Sequence, residues 1–217
     1  MSGELLQVAR VLQPITALGP GRRVAVWLQG CTLGCSGCAS TDTWDPAAGT
    51  TMSIATLEGL IADLFMRDAT LTGLTITGGE PLQQSAALTS LLRALKARWL
   101  AAGAEIDVLL FTGYALRAAR ARAAHVLDLA DVVVAGPYRA HHGHGGGLLG
   151  STNQELLVKS DLGRARLAAL ETAPSLQVTM VGTTLTMVGL PRPGDLDRLR
   201  SELEVVGIEM GSVSWQP

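Results

Sequence analysis

The chain has 217 residues, 47% of them hydrophobic and 17% charged, with a formal net charge of -2. That is enough apolar material for one α/β domain of ordinary size. The near-neutral balance excludes a global electrostatic drive toward nucleic acid or an anionic membrane.

Aromatics make up only 4%, so the core must rest on Ala, Leu and Val. No apolar run approaches the length that a bilayer crossing needs. Met1 leads into Ser-Gly-Glu-Leu without a basic and then apolar stretch, so no secretory signal is expected. Cysteines without a disulfide framework suit a reducing cytoplasm.

In chain order, residues 1–18 read as an edge strand or arm. Val24, Val26 and Leu28 alternate with Ala25, Trp27 and Gln29, a strand pattern. This strand runs into Gln29-Gly-Cys-Thr-Leu-Gly-Cys-Ser-Gly-Cys38, which holds Cys31, Cys35 and Cys38, all the cysteines of the chain. Gly30, Gly34 and Gly37 supply the backbone freedom for one short loop to wrap three thiolates around a single centre. A structural zinc site wants four ligands, usually as two Cys-x2-Cys pairs, and no second pair exists. His125, His141, His142 and His144 lie far off in sequence. An iron–sulfur cluster normally takes four cysteines; with three, one iron keeps an open position. A disulfide would leave one thiol over, and unrelated free cysteines rarely cluster in this way.

The segment Asp45 to Thr50 is expected to be a loop. Ser53 then opens a helix with Ile54, Leu57, Ile61, Leu64 and Phe65 on one face. Leu71 to Thr77 is a strand ending in Gly78-Gly-Glu-Pro81. Gly78 and Gly79 expose backbone groups, and Glu80 sets a carboxylate at the strand's C-terminal end, where α/β folds bind ligands. The plain alternative is an ordinary βα turn.

A helix from about Leu82 to Ala101 carries Leu88, Leu91, Leu92 and Leu95 as its stripe, and Gly103 stops it. Arg93, Lys96 and Arg98 read as a solvated face. A buried-type strand from Ile106 to Phe111 ends in Thr112-Gly-Tyr114, where Tyr114 is either a site residue or packing. A helix over Ala115 to Leu129 and a strand over Asp131 to Ala135 follow, the latter turning at Gly136-Pro-Tyr138. Arg139 to Gly150 holds three histidines among many glycines, which favours a flexible loop over a metal site. Its glycine spacing does not fit a dinucleotide fingerprint.

Glu155 to Lys159 reads as the last core strand, and Asp161 to Glu171 as a helix. Leu176 to Val181 and Leu185 to Leu190 suggest a hairpin joined through Gly182-Thr-Thr184. Pro193-Gly-Asp-Leu then starts a helix that aligns Leu196, Leu199, Leu203 and Val206. This ββα appendage has no evident catalytic residue and serves as an edge cover, an oligomer contact or a partner-docking surface.

Cys31-x3-Cys35-x2-Cys38 resembles the signature of the radical S-adenosylmethionine (SAM) superfamily. The flanks Gly19-Pro-Gly-Arg22, Trp27-Leu-Gln-Gly-Cys31 and Thr43-Trp44 resemble the activating proteins of anaerobic ribonucleotide reductase. The resemblance implies an α/β fold, a partial and open βα barrel with a small C-terminal ββα appendage. Residues 1–160 would form the core, and residues 161–217 an extension packed on it.

The resemblance further implies one 4Fe–4S cluster on Cys31, Cys35 and Cys38, with SAM chelating the fourth iron. Gly37 would offer backbone to the adenine, Gly78 and Gly79 would lie beside the methionine moiety, and Glu80 would pair with its ammonium. The segments Phe111 to Tyr114 and Gly150 to Gln154 resemble family segments near the SAM site, which makes Tyr114, Ser151 and Asn153 further candidates, with Gln154 beside them. Ala135 stands where the family usually has Asp, so a role for that carboxylate does not carry over.

The implied activity is reductive cleavage of SAM to a 5′-deoxyadenosyl radical, used to make a glycyl radical on a partner enzyme. No catalytic residue beyond the cluster and SAM site is implied. The electron would come from a low-potential donor such as flavodoxin or ferredoxin. No cysteine follows Cys38, which leaves no ligands for an auxiliary cluster. Two alternatives stay open: a radical SAM enzyme acting directly on a small metabolite or peptide, and a non-enzymatic metal sensor using three cysteines and a histidine.

Overall fold

The computed structural model describes residues 4–168, 175–181, 184–192 and 194–208. Seven strands form one mixed sheet in the order β3-β1-β2-β4-β5-β6-β7. They are β1 (Leu5–Ile15), β2 (Arg23–Leu28), β3 (Thr50–Ser53), β4 (Gly73–Gly78), β5 (Asp107–Thr112), β6 (Val132–Ala135) and β7 (Glu155–Val158). The pairs β2–β4, β4–β5 and β5–β6 are parallel, while β1, β3 and β7 join antiparallel. The chain is thus an α/β protein with a mostly parallel central sheet.

Two expectations need correction at the start of the chain. The segment read as an edge strand or arm is an 11-residue strand, β1, which sits inside the sheet between β2 and β3. The edge position belongs to Thr50–Ser53, four residues too short and too polar to show a periodicity before the helix. Glu171, the expected end of the fourth helix, lies outside the described residues, as do Gly182, Thr183 and Pro193 of the appendage.

The connecting helices α1 (Ile54–Arg67), α2 (Ser85–Ala101) and α3 (Leu116–Leu127) follow their apolar stripes. Ser53 caps α1 by accepting the Thr56 N–H at 3.1 Å. Gly103, at φ 64°, ends α2 in the left-handed region. All three helices pack on one face of the sheet. Leu57, Ile61, Leu88, Leu92, Leu95, Ala119 and Val126 share a core with Val24, Val26, Leu28, Leu74, Ile76, Val108 and Leu110.

Side chains alternate along a strand, so the remaining sheet residues face the other way. Ala25, Trp27, Leu109, Val132 and Val134 are buried there as well. Their cover comes from Leu148 in the long loop after β6, from Val188, and partly from Leu167 of α4 (Asp161–Leu167). Val188 belongs to the hairpin β8 (Leu176–Val181) and β9 (Thr184–Gly189), which precedes α5 (Asp195–Val205).

At the N-terminal ends of the parallel strands lies a buried ion pair. Arg23 and Asp107 are 0% and 1% exposed at the side chain, with Nη2 to Oδ2 at 2.7 Å. The same guanidinium donates to Thr75 Oγ1, the Pro20 carbonyl and the Leu74 carbonyl. Gly73 lies directly beneath the guanidinium, where any Cβ would strike it.

Removing one partner of such a pair strands a desolvated charge, at about 3–5 kcal/mol. Asp107→Asn is therefore expected to lower the unfolding free energy by about that amount in urea titrations. The double replacement Arg23→Met/Asp107→Leu is expected to cost less than Asp107→Asn alone.

Candidate functional site

The C-terminal ends of the four parallel strands stand side by side. Each carries one part of the candidate site: residues 29–40 after β2, Gly78 to Glu80 at the end of β4, Thr112 and Gly113 after β5, and Gly136 to Tyr138 after β6. Main-chain bonds lock the first two together. Gly79 N–H donates to the Leu28 carbonyl at 2.8 Å, and Glu80 N–H donates to the Gly30 carbonyl at 2.9 Å. This close approach requires glycine. Gly78 has φ 105°, and a Cβ at Gly78 or Gly79 would run into the backbone at Leu28 or Gly30.

The three cysteines are free thiols, half-buried, and line a cavity of about 1280 Å³ together with Gly37, Gly78, Gly79, Glu80 and Gly113. Burial pushes the Cys31 and Cys35 thiols up from the ordinary value, and backbone N–H groups oppose it. For Cys31 these come from Leu33 and Gly34, and for Cys35 chiefly from Tyr138. Ser40 N–H points at Cys38 Sγ, 3.4 Å away. Every sulfur thus receives at least one backbone donor, the kind of contact that tunes a bound cluster. Gly34 leaves open space beside the loop, with no heavy atom within 4 Å of a Cβ position.

Among the described residues, no group of three or more His, Cys, Asp or Glu side chains could hold one metal ion. A single zinc needs its sulfurs drawn in to about 2.3 Å from one point. A cluster gives each thiolate its own iron and tolerates wider spacing, so the donor set fits an iron–sulfur cluster better than a single ion. The histidines do not alter this. His125 is exposed on α3 and His141 and His142 on the loop, while His144 lines the cavity with its Nδ1 accepting from the Gly146 N–H at 2.9 Å and its buried Nε2 without a partner among the described residues.

Glu80 is fully buried and bridges two strand ends. Its Oε1 accepts from Leu82 N–H at 2.9 Å and Thr112 Oγ1 at 2.8 Å, and its Oε2 accepts from Gly113 N–H at 2.7 Å. Burial raises its pKa, opposed by those same three donors. A carboxylate offers about four lone-pair positions, so three bonds leave one, on Oε2, for a further donor.

The remaining candidates support the loops and are absent from the cavity lining. Tyr114 OH accepts from Gln83 Nε2 at 3.2 Å, which also donates to Thr32 Oγ1 in the cysteine loop at 2.6 Å. Arg122 lies over the Tyr114 ring at 4.7 Å. Ser151, fully buried, accepts from Arg139 N–H at 3.1 Å. Asn153 Nδ2 donates to the Pro137 carbonyl at 2.8 Å, while its buried Oδ1 has no partner. Gln154 does reach the lining, and it clamps the loop through Gly150 N–H and the Gly136 carbonyl. Leu148 is buried and Thr152 Oγ1 donates to the His142 carbonyl, so the glycine-rich loop is packed and tied down.

Several supporting residues escaped the sequence reading. Thr112 and Gly113 hold Glu80. Gln29 spans the cysteine loop by donating to the Asp42 and Asp45 carbonyls at 3.1 and 2.7 Å. Tyr138 lays its ring 3.4 Å from a Cβ position on Gly37 and 3.3 Å from one on Gly150. Gln29 had a local signal in its place directly before Gly30-Cys31, and Thr112 and Gly113 lie inside the Phe111 to Tyr114 segment that the resemblance marks, but neither signal gave these residues their bracing roles. Ala135 is fully buried in the helix-side core, where an Asp would be desolvated.

Comparison with known proteins agrees with this donor set. The family model described as a 4Fe-4S single cluster domain matches residues 17–157. The chain is 32% identical over 145 residues to the anaerobic ribonucleoside-triphosphate reductase-activating protein of Enterobacteria phage T4, covering 66% of this chain and 88% of the relative. The protein of that name from Escherichia coli K12 is 30% identical over 122 residues, covering 55% and 77%. The pyruvate formate-lyase-activating enzyme of Listeria monocytogenes is 41% identical over 70 residues, covering 32% and 28%. Three backbone-solvated thiols, a glycine-lined cavity and these likenesses converge: the chain belongs to the 4Fe–4S single-cluster family of radical SAM activating enzymes, with a 4Fe–4S cluster and SAM as its cofactors.

Proposed function

We propose that this protein reductively cleaves SAM and uses the resulting radical to generate a glycyl radical on a partner enzyme. The observation that carries this reading is the sharing of one cavity by the three cysteines and the Gly78-Gly79-Glu80 turn. Cys31, Cys35 and Cys38 hold the cluster. Gly37 offers backbone to the adenine, Gly78 and Gly79 flank the methionine moiety, and Glu80 takes the SAM ammonium at the free position on Oε2. When bound, the cluster and SAM supply one electron and a 5′-deoxyadenosyl radical that removes a hydrogen atom from a glycine Cα.

The protein's own part is to position and to exclude water. Glycine turns bring main-chain groups close to the ligand, and Trp27, Phe111 and Leu148 give the cavity an apolar floor. Tyr114, Ser151 and Asn153 act through the loops they brace. The sheet serves as the open barrel of the superfamily, with residues 1–160 as its core and 161–217 as a dependent extension. The electron donor is a low-potential carrier such as flavodoxin or ferredoxin in a reducing cytoplasm. Among the described residues, no helix is long and apolar enough to cross a membrane.

The direct test is anaerobic reconstitution with iron and sulfide, reduction with dithionite, and chromatography for 5′-deoxyadenosine. Wild type is expected to form it in proportion to SAM consumed, and Cys35→Ala to form none. A cluster that assembles without SAM turnover would sink the reading.

A second prediction concerns Glu80. Losing a charge-assisted hydrogen bond costs about 1.5–3 kcal/mol, or roughly 10- to 100-fold in affinity. Glu80→Gln is expected to weaken S-adenosylhomocysteine binding by that factor in calorimetry.

The pH dependence has a definite sign. Burial raises this carboxyl's pKa, so the folded chain holds the proton more tightly than the unfolded one. Its contribution to stability is greatest at acid pH and is lost as pH rises through the folded pKa. Ammonium binding needs the ionised form, so ligand affinity is expected to fall as pH drops toward that pKa. Glu80→Gln should abolish the slope.

A further inference from the structure

Residues beyond the family match build one wall of the cavity. Leu185 through Leu190, together with Arg192, Leu196 and Arg200, line the space that the cysteine loop lines from the other side. The hairpin is anchored to the sheet. Gln177 Oε1 accepts from Thr16 N–H at 2.8 Å, and Gln177 Nε2 donates to the Pro14 carbonyl at 2.9 Å. Val188, the register partner of Gln177, is 4% exposed and packs with Ile15, Leu18, Ala25 and Trp27. Partners across a ladder share a face, so this face turns to the core.

Side chains alternate along β9, yet the consecutive residues Leu185 to Gly189 all line the cavity, whereas among the described residues β8 contributes Leu176 alone. A strand that lines a space with every residue presents its edge to it. The hydrogen-bond parity can be fixed. Leu190 N–H donates to the Ser175 carbonyl at 2.8 Å, so the next bonded pairs back along the ladder are Val188 with Gln177 and Thr186 with Thr179. The N–H and C=O groups of Leu185 and Met187 therefore point away from β8, whereas Gly189, at φ 139°, departs from the regular strand. Among the described residues, β9 has no strand on that side.

We propose that the open edge of β9 is a docking strand for the partner's target-bearing segment, which adds to it as an extended, acidic peptide. Main-chain bonds to Leu185 and Met187 hold the segment beside the cysteine loop, and alternate side chains meet the wall. Acidic residues are selected at the rim. Arg192 and Arg200 have no ion-pair partner among the described residues, whereas Arg198 is paired to Asp195 and Arg10 to Asp42. Asp197 is the acidic residue that α5 adds to the lining, which leaves two guanidinium groups against one carboxylate. Naming this segment as the target rests on the activase reading above; the docking itself does not.

The test uses the full, cluster-loaded chain and fluorescence anisotropy. The probe is a fluorescein-labelled dodecapeptide of Val, Thr and Glu around a central Gly. Met187→Pro deletes one outward N–H, and Met187→Leu keeps it; the first is expected to weaken binding about tenfold and the second less than twofold. Arg192→Glu/Arg200→Glu is expected to weaken the Glu peptide about tenfold and to favour its Lys counterpart. Far-ultraviolet circular dichroism and iron content confirm that the variants are folded.

Absent peptide binding, or equal binding by both Met187 variants, overturns the proposal. A dimer in sedimentation that Met187→Pro dissociates also overturns it, because the edge then serves a second copy of this chain. Anisotropy does not depend on turnover, so loss of peptide binding beside normal 5′-deoxyadenosine formation rejects the docking strand and leaves the activase reading standing.

Discussion

The site depends on one buried carboxylate. Glu80 has no exposed surface, and a desolvated carboxylate must find donors or neutralise. It finds them on its own turn, at Leu82, and on the neighbouring strand end, at Thr112 and Gly113. Those bonds set the separation between the ends of β4 and β5. Glu80's own N–H reaches back to Gly30, which ties the same turn to the start of the cysteine loop. One residue therefore ties together the mouths of three parallel strands, with one lone-pair position on Oε2 not taken by the three donors.

The opposite ends of those strands are held by a second buried charge, with a different logic. Arg23 is fully enclosed and satisfied by Asp107, Thr75 and two carbonyls, and nothing is held in reserve. A pair of this kind contributes less to net stability than to uniqueness, because its desolvation offsets most of its attraction. Between the two ends the sheet is apolar on both faces. That is why β2, Arg23–Leu28, buries all six of its residues.

The C-terminal segment completes the second face. The family model matches this chain through residue 157, where the last core strand is nearly finished. Trp27 and Ala25 point into the cavity side of the sheet, and here Val188 covers them. The same hairpin that shields this apolar patch leaves one edge of β9 beside the cavity without a partner strand among the described residues.

The sequence by itself determined the chemistry and most of the periodic elements. Cysteine spacing is a local property: three thiols within eight residues must share a neighbourhood whatever the fold. Ser53, Gly103 and the leucine stripe of α2 act within one or two turns, so α1 and α2 fall where their residues place them. Tertiary structure alone decided what depends on distant partners. Polar Thr50–Ser53 becomes the sheet edge because β1 offers it a ladder, which moves β1 to an interior position. Glu80 carries its pattern signal at residue 80, but two of its three donors arrive from residues 112 and 113, beyond any local window. Ser151 and Tyr114 are candidates by type in the sequence, and their bonds to Arg139 N–H and Gln83 become visible only in the fold, because a hydroxyl's direction is not written in the sequence. Whether the last fifty residues cover, recognise or dimerise depends on which edge of β9 faces the cavity, a matter of packing against Ile15 and Trp27 some 160 residues earlier in the chain.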